Sequence, residues 1–280
     1  MKKVDLARSI SAKLSSLSKE KAIPYQNLLT TFLLERLLAR IIADRKLAQS
    51  LVFKGGYVGL RVYESSRYTI DLDALLLKAD VDSTLKRSAE AIESDIGDGT
   101  WFILDSQIDL KTQGEYGGIR QTFRTGIGEK PKSVLRAQII NFDIGIGDPV
   151  TPGPVKTKTE LLLGEGELTW LVYPIETIVA EKLQTLVDRG GNSSRAKDIY
   201  DLQYYLPKAN TKLLKDAIKK CFKFRGTPIP DDLPNFLSNM DLSLLKRGWK
   251  SATASLKDAP DFQNAFQKIG DELTKIRLTG

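Results

Sequence analysis

The sequence predicts an α/β protein: a mixed β-sheet with helices before it and a helical C-terminal part after it. Apolar residues recur at helical spacing before residue 50. Short apolar segments broken by glycine and proline follow as far as about residue 172, and helical patterns run from Pro174 almost to the end. A chain of 280 residues can bury a large core and form one large domain or two smaller ones. The change of pattern near Val172 predicts two domains, 1–172 and 173–280.

The elements are expected in a definite order. Residues 6–17 and 25–47 have the spacing of amphipathic helices, and residues 81–95 that of an exposed one. Alternating or continuous apolar segments predict strands at 51–53, around Asp71-Leu72-Asp73, and at 101–108, 119–125 and 133–144. The proline-rich segment 149–154 is expected to be a surface loop.

Composition excludes several classes of protein. The chain is 41% hydrophobic and 28% charged, which is typical of a soluble globular protein. It contains no apolar segment long enough to span a membrane and no signal-peptide pattern, so we expect a cytoplasmic protein with no membrane partner. It contains no histidine, which excludes catalysis by histidine-based triads and zinc-protease motifs. The single cysteine, Cys221, cannot form an internal disulfide.

Asp71 and Asp73 are the most informative residues of the chain. Side chains two apart on a strand project from the same face, so the two carboxylates are expected side by side while Ile70, Leu72 and Ala74 face a core. Two like charges held so close favour a cation between them, and oxygen ligands suit a hard divalent ion. The pair therefore predicts a metal site for Mg²⁺, with Mn²⁺ as an alternative.

A glycine pair, Gly55-Gly56, precedes this strand and follows the apolar segment 51–53. Glycine at a strand-to-helix turn lets backbone N–H groups approach a phosphate, and the helix start favours an anion. Lys54 and Arg67 add positive charge. A strand, a glycine turn, a short helix and a strand bearing Asp-x-Asp make up the metal-and-triphosphate layout of the nucleotidyltransferase fold. A metal-dependent glycosyltransferase fits this order less well, because such an enzyme normally has several alternating strands and helices before its acidic motif, whereas one strand and one short helix precede the acidic pair here.

A third carboxylate is expected on a neighbouring strand, because two-metal phosphoryl chemistry needs a bridging set of acids. Alternation in 139–144 sets Asp143 opposite to Ile140, Phe142 and Ile144, so Asp143 is our choice. Asp148 is the second choice, since it lies beside Pro149 in the expected loop. The alternative is that Asp143 is simply a solvated strand residue.

Lys182 lies inside the apolar stripe of the helix expected after Pro174, and Arg195 and Asp198 fall on the stripe of the next helix. Unpaired charge is costly to bury, so these three residues should contact each other or the phosphates of a ligand. Lys182 would approach a triphosphate and Asp198 would orient it. An inter-helix salt bridge without chemistry is the competing interpretation.

The formal charge of +7 and the isoelectric point near 9.2 favour a polyanionic partner. Lys212, Lys215, Lys219 and Lys223 recur at helical spacing and predict a basic stripe that could follow an RNA backbone. The same lysines could equally form the solvated face of a helix.

Several of these segments together resemble the AbiEii/MenT family of nucleotidyltransferase toxins from type IV toxin–antitoxin systems. The resemblance rests on 53–56, 67–73, 142–144, 181–183 and 195–202, in that order. It implies a magnesium-dependent nucleotidyltransferase that moves nucleotides from an NTP to an RNA, with the 3′ end of tRNA as the expected acceptor, and a cognate antitoxin protein as partner. It also implies catalytic roles for Asp71, Asp73, Lys182 and Asp198, metal binding by Asp71, Asp73 and Asp143, and nucleotide binding by Lys54, Gly55, Gly56, Arg67 and Arg195.

Two alternatives remain from the sequence. The enzyme could instead adenylylate a protein side chain. The chain could also be a module that binds a nucleic acid or a protein partner without catalysis.

Overall fold

The computed structural model describes residues 3–110, 117–190, 195–256 and 258–276. Its residues fall into two compact units. The first unit comprises Met1–Glu64, Tyr68–Gly147 and Lys156–Val172, and the second comprises Ser65–Arg67, Asp148–Val155 and Tyr173–Gly280. Two short segments that precede residue 173 in the chain therefore belong to the second unit.

The first unit is built on a seven-stranded mixed sheet, which confirms the predicted fold class. The strand order is β3-β4-β5-β2-β1-β7-β6. The strands are β1 (Leu51–Lys54), β2 (Asp71–Leu76), β3 (Thr100–Asp109), β4 (Gly118–Ile127), β5 (Gln138–Ile146), β6 (Val155–Glu160) and β7 (Glu167–Val172). β2 pairs in parallel with β5 and antiparallel with β1, so the predicted acidic strand lies in the middle of the sheet.

The described residues of the first unit form five α-helices: α1 (Lys3–Lys21), α2 (Tyr25–Ala43), α3 (Arg45–Ser50), α4 (Gly55–Val62) and α5 (Val81–Glu93). The predicted helix 25–47 was wrong in one respect, because it is two helices that meet at Asp44. The Asp44 carboxylate accepts hydrogen bonds from the backbone N–H groups of Lys46 and Leu47 and so caps the start of α3. Helix α2 carries a wide buried face, with Leu33, Leu34, Leu37 and Ile41 fully buried.

Glu35 and Arg40 on α2 are buried charges that bind other segments of the first unit to this helix. Glu35 accepts from Arg61 at 2.9 Å and from the backbone N–H of Leu162 at 2.8 Å. Arg40 donates to both carboxylate oxygens of Asp98, at 2.7 and 3.0 Å. Since each buried charge has a partner, both are consistent with structural roles.

The second unit is helical, as the pattern after Pro174 predicts. Its helices are α6 (Ile175–Arg189), α7 (Ala196–Tyr205), α8 (Thr211–Phe224), α9 (Leu233–Ser238), α10 (Ser243–Ala252) and α11 (Phe262–Thr274). Helix α7 packs against α6, α10 and α11, and α6 also packs against α8. None of the helices in the described ranges is long and apolar enough to cross a membrane.

Candidate active site

The predicted acidic pair lies on one face of β2. Leu72 and Ala74 are fully buried, whereas Asp71 and Asp73 are only half-buried, so burial alternates along the strand. This confirms that the two carboxylates share a face. Ile70 was expected to face the core and is instead 60% exposed. It precedes the first paired residue of β2, so the alternation of the strand does not extend to it.

The register between β2 and β5 sets Asp143 beside the pair. Asp71 lies opposite Asn141, and Asp73 lies opposite Asp143. Residues opposite each other on adjacent strands project from the same face, so three carboxylates and one amide lie on adjacent positions of two strands. The choice of Asp143 as a neighbour of the acidic pair is confirmed as a matter of position.

The glycine pair contacts this acidic face at the start of α4. Gly55 is the first residue of the helix and has a φ of +74°, a conformation that L side chains rarely adopt. A Cβ on Gly55 would overlap Asp73 Oδ2 and lie 2.7 Å from Asp73 Cγ. A Cβ on Gly56 would lie 2.9 Å from the Cβ of Thr69. Both glycines therefore allow a close approach that other residues would prevent, and Lys54 lies opposite Asp73 in the antiparallel β1–β2 pair.

A hydrogen-bonded chain across three strands orients Asp71. The Asn141 side-chain amide donates to Asp71 Oδ1 at 2.8 Å. The Asn141 carbonyl oxygen accepts from the Thr122 hydroxyl of β4 at 3.0 Å, which leaves the amide nitrogen directed at Asp71. The sequence analysis missed both residues. Alternation could have found Asn141, which is two residues from Asp143 on the same strand.

Arg120 of β4 binds Asp143 on the same face. Its Nε and Nη2 each donate to one oxygen of Asp143 at 2.7 Å. These hydrogen bonds, with the charges of Asp143, Asp71 and Asp73, raise the pKa of Arg120 above its usual value despite the opposing effect of burial. Sequence reasoning missed Arg120, because its position beside Asp143 depends on the β4–β5 register.

The donors of this face suit a hard divalent cation, since carboxylate oxygens are the ligands that Mg²⁺ and Mn²⁺ prefer. In the part of the chain that the structure describes, no three acidic or thiol side chains are grouped so as to hold a metal ion as they stand. Both oxygens of Asp143 are bound to Arg120. Asp71, Asp73 and Asp143 supply oxygens that fit such an ion, and an ion at Asp143 would compete with Arg120.

The predicted charges on the helices meet in the second unit. Lys182 Nζ lies 2.6 Å from Asp198 Oδ1 and 2.7 Å from Asp201 Oδ2. Burial alone would lower the pKa of Lys182, but the charges of Asp198 and Asp201 outweigh it and raise that pKa. The charges of Lys182 and Arg195 likewise outweigh the effect of burial on Asp198 and lower its pKa well below the usual value. The expectation that Lys182, Arg195 and Asp198 contact each other is confirmed.

Asp201 is a partner that the sequence analysis did not single out. It is 3% exposed and binds the Nε and Nη2 of Arg67 at 3.1 and 2.9 Å in addition to Lys182. Its spacing of i, i+3 from Asp198 on α7 sets both carboxylates on one side of that helix, which is the signal that could have found it. Nucleotide binding by Arg67 stays a prediction, since its guanidinium already holds Asp201.

Two further residues of the predicted site, Arg195 and Asp148, lie in the second unit. Arg195 was expected at the centre of a buried stripe, but its side chain is 49% exposed, because it precedes the first residue of α7 and bonds Asp198 at 2.5 Å from outside the helix. Asp148, the second choice for a third metal ligand, belongs to the second unit, where Arg225 binds both of its oxygens at 2.9 Å. It is therefore not on the sheet that carries Asp71.

The sequence of the chain matches a known protein family. Residues 36–268 match the family model described as "Nucleotidyl transferase AbiEii toxin, Type IV TA system". The chain belongs to this family. It is therefore a nucleotidyltransferase-family protein of the AbiEii toxin type, and the resemblance inferred from the sequence motifs is confirmed for AbiEii.

A solved structure with a TM-score above 0.5 has the same fold. A protein from H. pylori described as a nucleotidyltransferase superimposes with a TM-score of 0.55 and 20% sequence identity, over 90% of this chain and 95% of that one. An antigenic nucleotidyltransferase-like protein from Paracoccidioides brasiliensis matches with a TM-score of 0.38 and 15% identity, over 69% of this chain and 89% of that one. No curated protein matches the AbiEii-family chain.

Proposed function

We propose that this AbiEii-family protein transfers nucleotides from an NTP to an RNA acceptor, the 3′ end of tRNA, with Mg²⁺ as cofactor. The observation that carries the proposal is the parallel register of β2 and β5, with Asp71 and Asp73 beside Asn141 and Asp143 and with Gly55 closely packed on Asp73. A strand pair of this kind is a rigid support for carboxylates.

The first unit supplies groups for both the metal and the phosphates. Asp71 and Asp73 would hold the ion, with Asp143 as a third ligand. The ion would neutralise charge on the phosphates and polarise the reacting phosphoryl group. Lys54, Gly55 and Gly56 are expected to lie along the triphosphate, since Lys54 is opposite Asp73 and the glycines leave backbone N–H groups accessible at the start of α4.

The second unit carries the other residues of the proposal. We expect Lys182 and Asp198 to have catalytic roles, with Asp198 orienting Lys182, and Arg195 and Arg67 to bind the nucleotide. Burial of a lysine and two aspartates costs free energy. Such buried charged groups are more frequent at functional sites, which supports these roles.

The chemistry would be an in-line displacement. An RNA hydroxyl oxygen attacks the α-phosphorus, a new P–O bond forms, and the bond to the β-phosphate breaks to release pyrophosphate, while the hydroxyl proton passes to water. Catalysis of this kind rests on positioning and charge neutralisation.

A polyanionic acceptor is supported by the charge of +7 and by α8. Leu214, Ile218 and Phe222 of α8 are buried, so its lysines, which include Lys212 and Lys219, face outward. Such a row contacts phosphates without reading bases. The cytoplasm is the expected location, where NTPs and tRNA occur together, and a cognate antitoxin protein is the expected partner.

The test is to incubate the purified protein with each α-labelled NTP, Mg²⁺, total tRNA and a lysate freed of RNA. Label on the 3′ end of tRNA supports the proposal, whereas label on protein would favour adenylylation instead. Label on neither, with a folded protein, contradicts nucleotidyl transfer. Growth arrest on expression, relieved by the product of a neighbouring gene, tests the toxin and antitoxin roles separately.

A further inference from the structure

The acidic face holds one more cation, the guanidinium of Arg120, and its position has a consequence for metal binding. In one row across adjacent strands lie Arg120 of β4, Asp143 of β5, Asp73 of β2 and Lys54 of β1, each opposite the next in register. Two carboxylates in the middle of this row are thus flanked by a positive side chain at each end.

The bond between Arg120 and Asp143 has the geometry of a strong, charge-assisted pair. Two N–H groups bind the two oxygens at 2.7 Å each, in the planar fork that an arginine forms with a carboxylate. The arginine side chain is 32% exposed and that of Asp143 is 15% exposed. The pair is therefore accessible to ions and ligands from solution.

Arg120 already neutralises negative charge on this face. Its hydrogen bonds to Asp143, together with the charges of Asp143, Asp71 and Asp73, raise the pKa of Arg120, and its guanidinium donates to Asp143. A metal ion that uses Asp143 would compete with these two hydrogen bonds and would have to tolerate a neighbouring positive charge.

We propose that Arg120 is an exchangeable counter-ion of the metal site. Its guanidinium binds Asp143 while no ion is bound, and a divalent cation displaces the guanidinium from Asp143. This inference rests on the proposed metal site at Asp71 and Asp73. The arginine keeps the three like charges compatible when no ion is bound, and it makes the affinity for the ion lower than three carboxylates alone would give. Once released, its fork is available to a phosphate group.

Arg124 offers a matched control. It lies four residues from Arg120 on the same face of β4, and its Nε donates to Asp105 at 2.7 Å. Replacing Arg124 by glutamine removes the same charge from the same face but leaves the bond between Arg120 and Asp143 intact. General electrostatics and specific exchange can therefore be separated.

The experiment measures Mn²⁺ binding to the full-length protein, without nucleotide, by electron paramagnetic resonance of the free ion. Arg120→Gln is expected to bind Mn²⁺ about tenfold more tightly than the unmodified protein, as expected for loss of a bidentate, partly exposed competitor. Arg124→Gln is expected to change the affinity by less than about twofold. Arg120→Lys, which keeps the charge without the fork, should lie between the two, and it covers the case in which Arg120→Gln fails to fold.

Unchanged or weaker binding by both Arg120 variants, or an equal gain in Arg124→Gln, would overturn the inference. In those cases the unmodified protein still binds Mn²⁺, and Asp71→Asn still abolishes that binding, so the proposed metal site survives. If neither the unmodified protein nor Arg120→Gln binds Mn²⁺, the metal site itself is wrong and the inference is overturned with it.

Discussion

Replacement of Gly55 by alanine tests the packing at the start of α4. Gly55 has a φ of +74°, and Gly97, in the turn before β3, has a φ of +73°. A Cβ on Gly97 would have no atom within 4 Å, whereas a Cβ on Gly55 would overlap the Asp73 carboxylate. The two alanine variants thus share the backbone cost and differ in the contact with Asp73.

The shared cost of a left-handed alanine is about 1–2 kcal/mol. Forcing a methyl group against Asp73 adds about 1–3 kcal/mol, by analogy with overpacking. We therefore expect Gly55→Ala to lower the free energy of unfolding by about 2–5 kcal/mol. Gly97→Ala should lower it by only about 1–2 kcal/mol, the cost of the left-handed alanine. With a urea dependence of about 1–3 kcal/mol per molar, the difference between the variants corresponds to a midpoint shift of about 1 M.

Urea unfolding of each variant, followed by tryptophan fluorescence and circular dichroism, measures this difference. Two of the three tryptophans, Trp101 and Trp170, belong to the same unit as both glycines. Equal midpoints for Gly55→Ala and Gly97→Ala would refute the reasoning, because the close approach of Asp73 would then carry no cost.

Three further predictions concern polar and charged side chains of the two units. Asp201→Asn leaves Arg67 and Lys182 without their shared carboxylate. Urea unfolding should therefore show a free energy of unfolding that is lower by about 3–5 kcal/mol. The exposed control Asp216→Asn should lower it by less than about 0.5 kcal/mol. The pKa of Asp198 is lower in the folded state than in the unfolded chain, so its contribution to stability is complete above about pH 4 and declines as the pH falls below that value. In thermal unfolding from pH 7 to 2, the melting temperature of Asp198→Asn should therefore fall less steeply with acid than that of the unmodified protein. An identical fall in both proteins would contradict the assignment. Asn141→Ala removes the donor to Asp71, so nucleotidyl transfer should fall by about tenfold with little change in melting temperature, and unchanged transfer would show that the amide is not needed.

The acidic face was predictable because its signal is local. Asp71, Asp73 and Asp143 follow the two-residue alternation of strands, and burial of Leu72 and Phe142 follows from the same rule. Lys182 was predictable as a paired charge because a lysine inside an apolar stripe needs a carboxylate.

The remaining features depend on contacts distant in sequence or on weak local patterns. Strands β6 and β7 were not predicted, since 155–160 reads Val-Lys-Thr-Lys-Thr-Glu without an apolar face. Polar, charged strands of this kind occur at sheet edges, and β6 is an edge strand. The strand expected at 133–144 begins only at Gln138, because alternation does not mark where pairing starts. Arg120 and Thr122 reach the site through the register of β4 with β5, which the sequence does not specify.

Transfer of label from an α-labelled NTP to tRNA, compared between the unmodified protein and Asp71→Asn, tests the central claim most directly. The account predicts labelled tRNA 3′ ends with the unmodified protein and with a control variant of an exposed aspartate outside α8, Asp231→Asn. It predicts a loss of transfer of at least about a hundredfold with a folded Asp71→Asn. Transfer retained in a variant with an unchanged melting temperature would contradict the assignment of the β2 carboxylates to the chemistry.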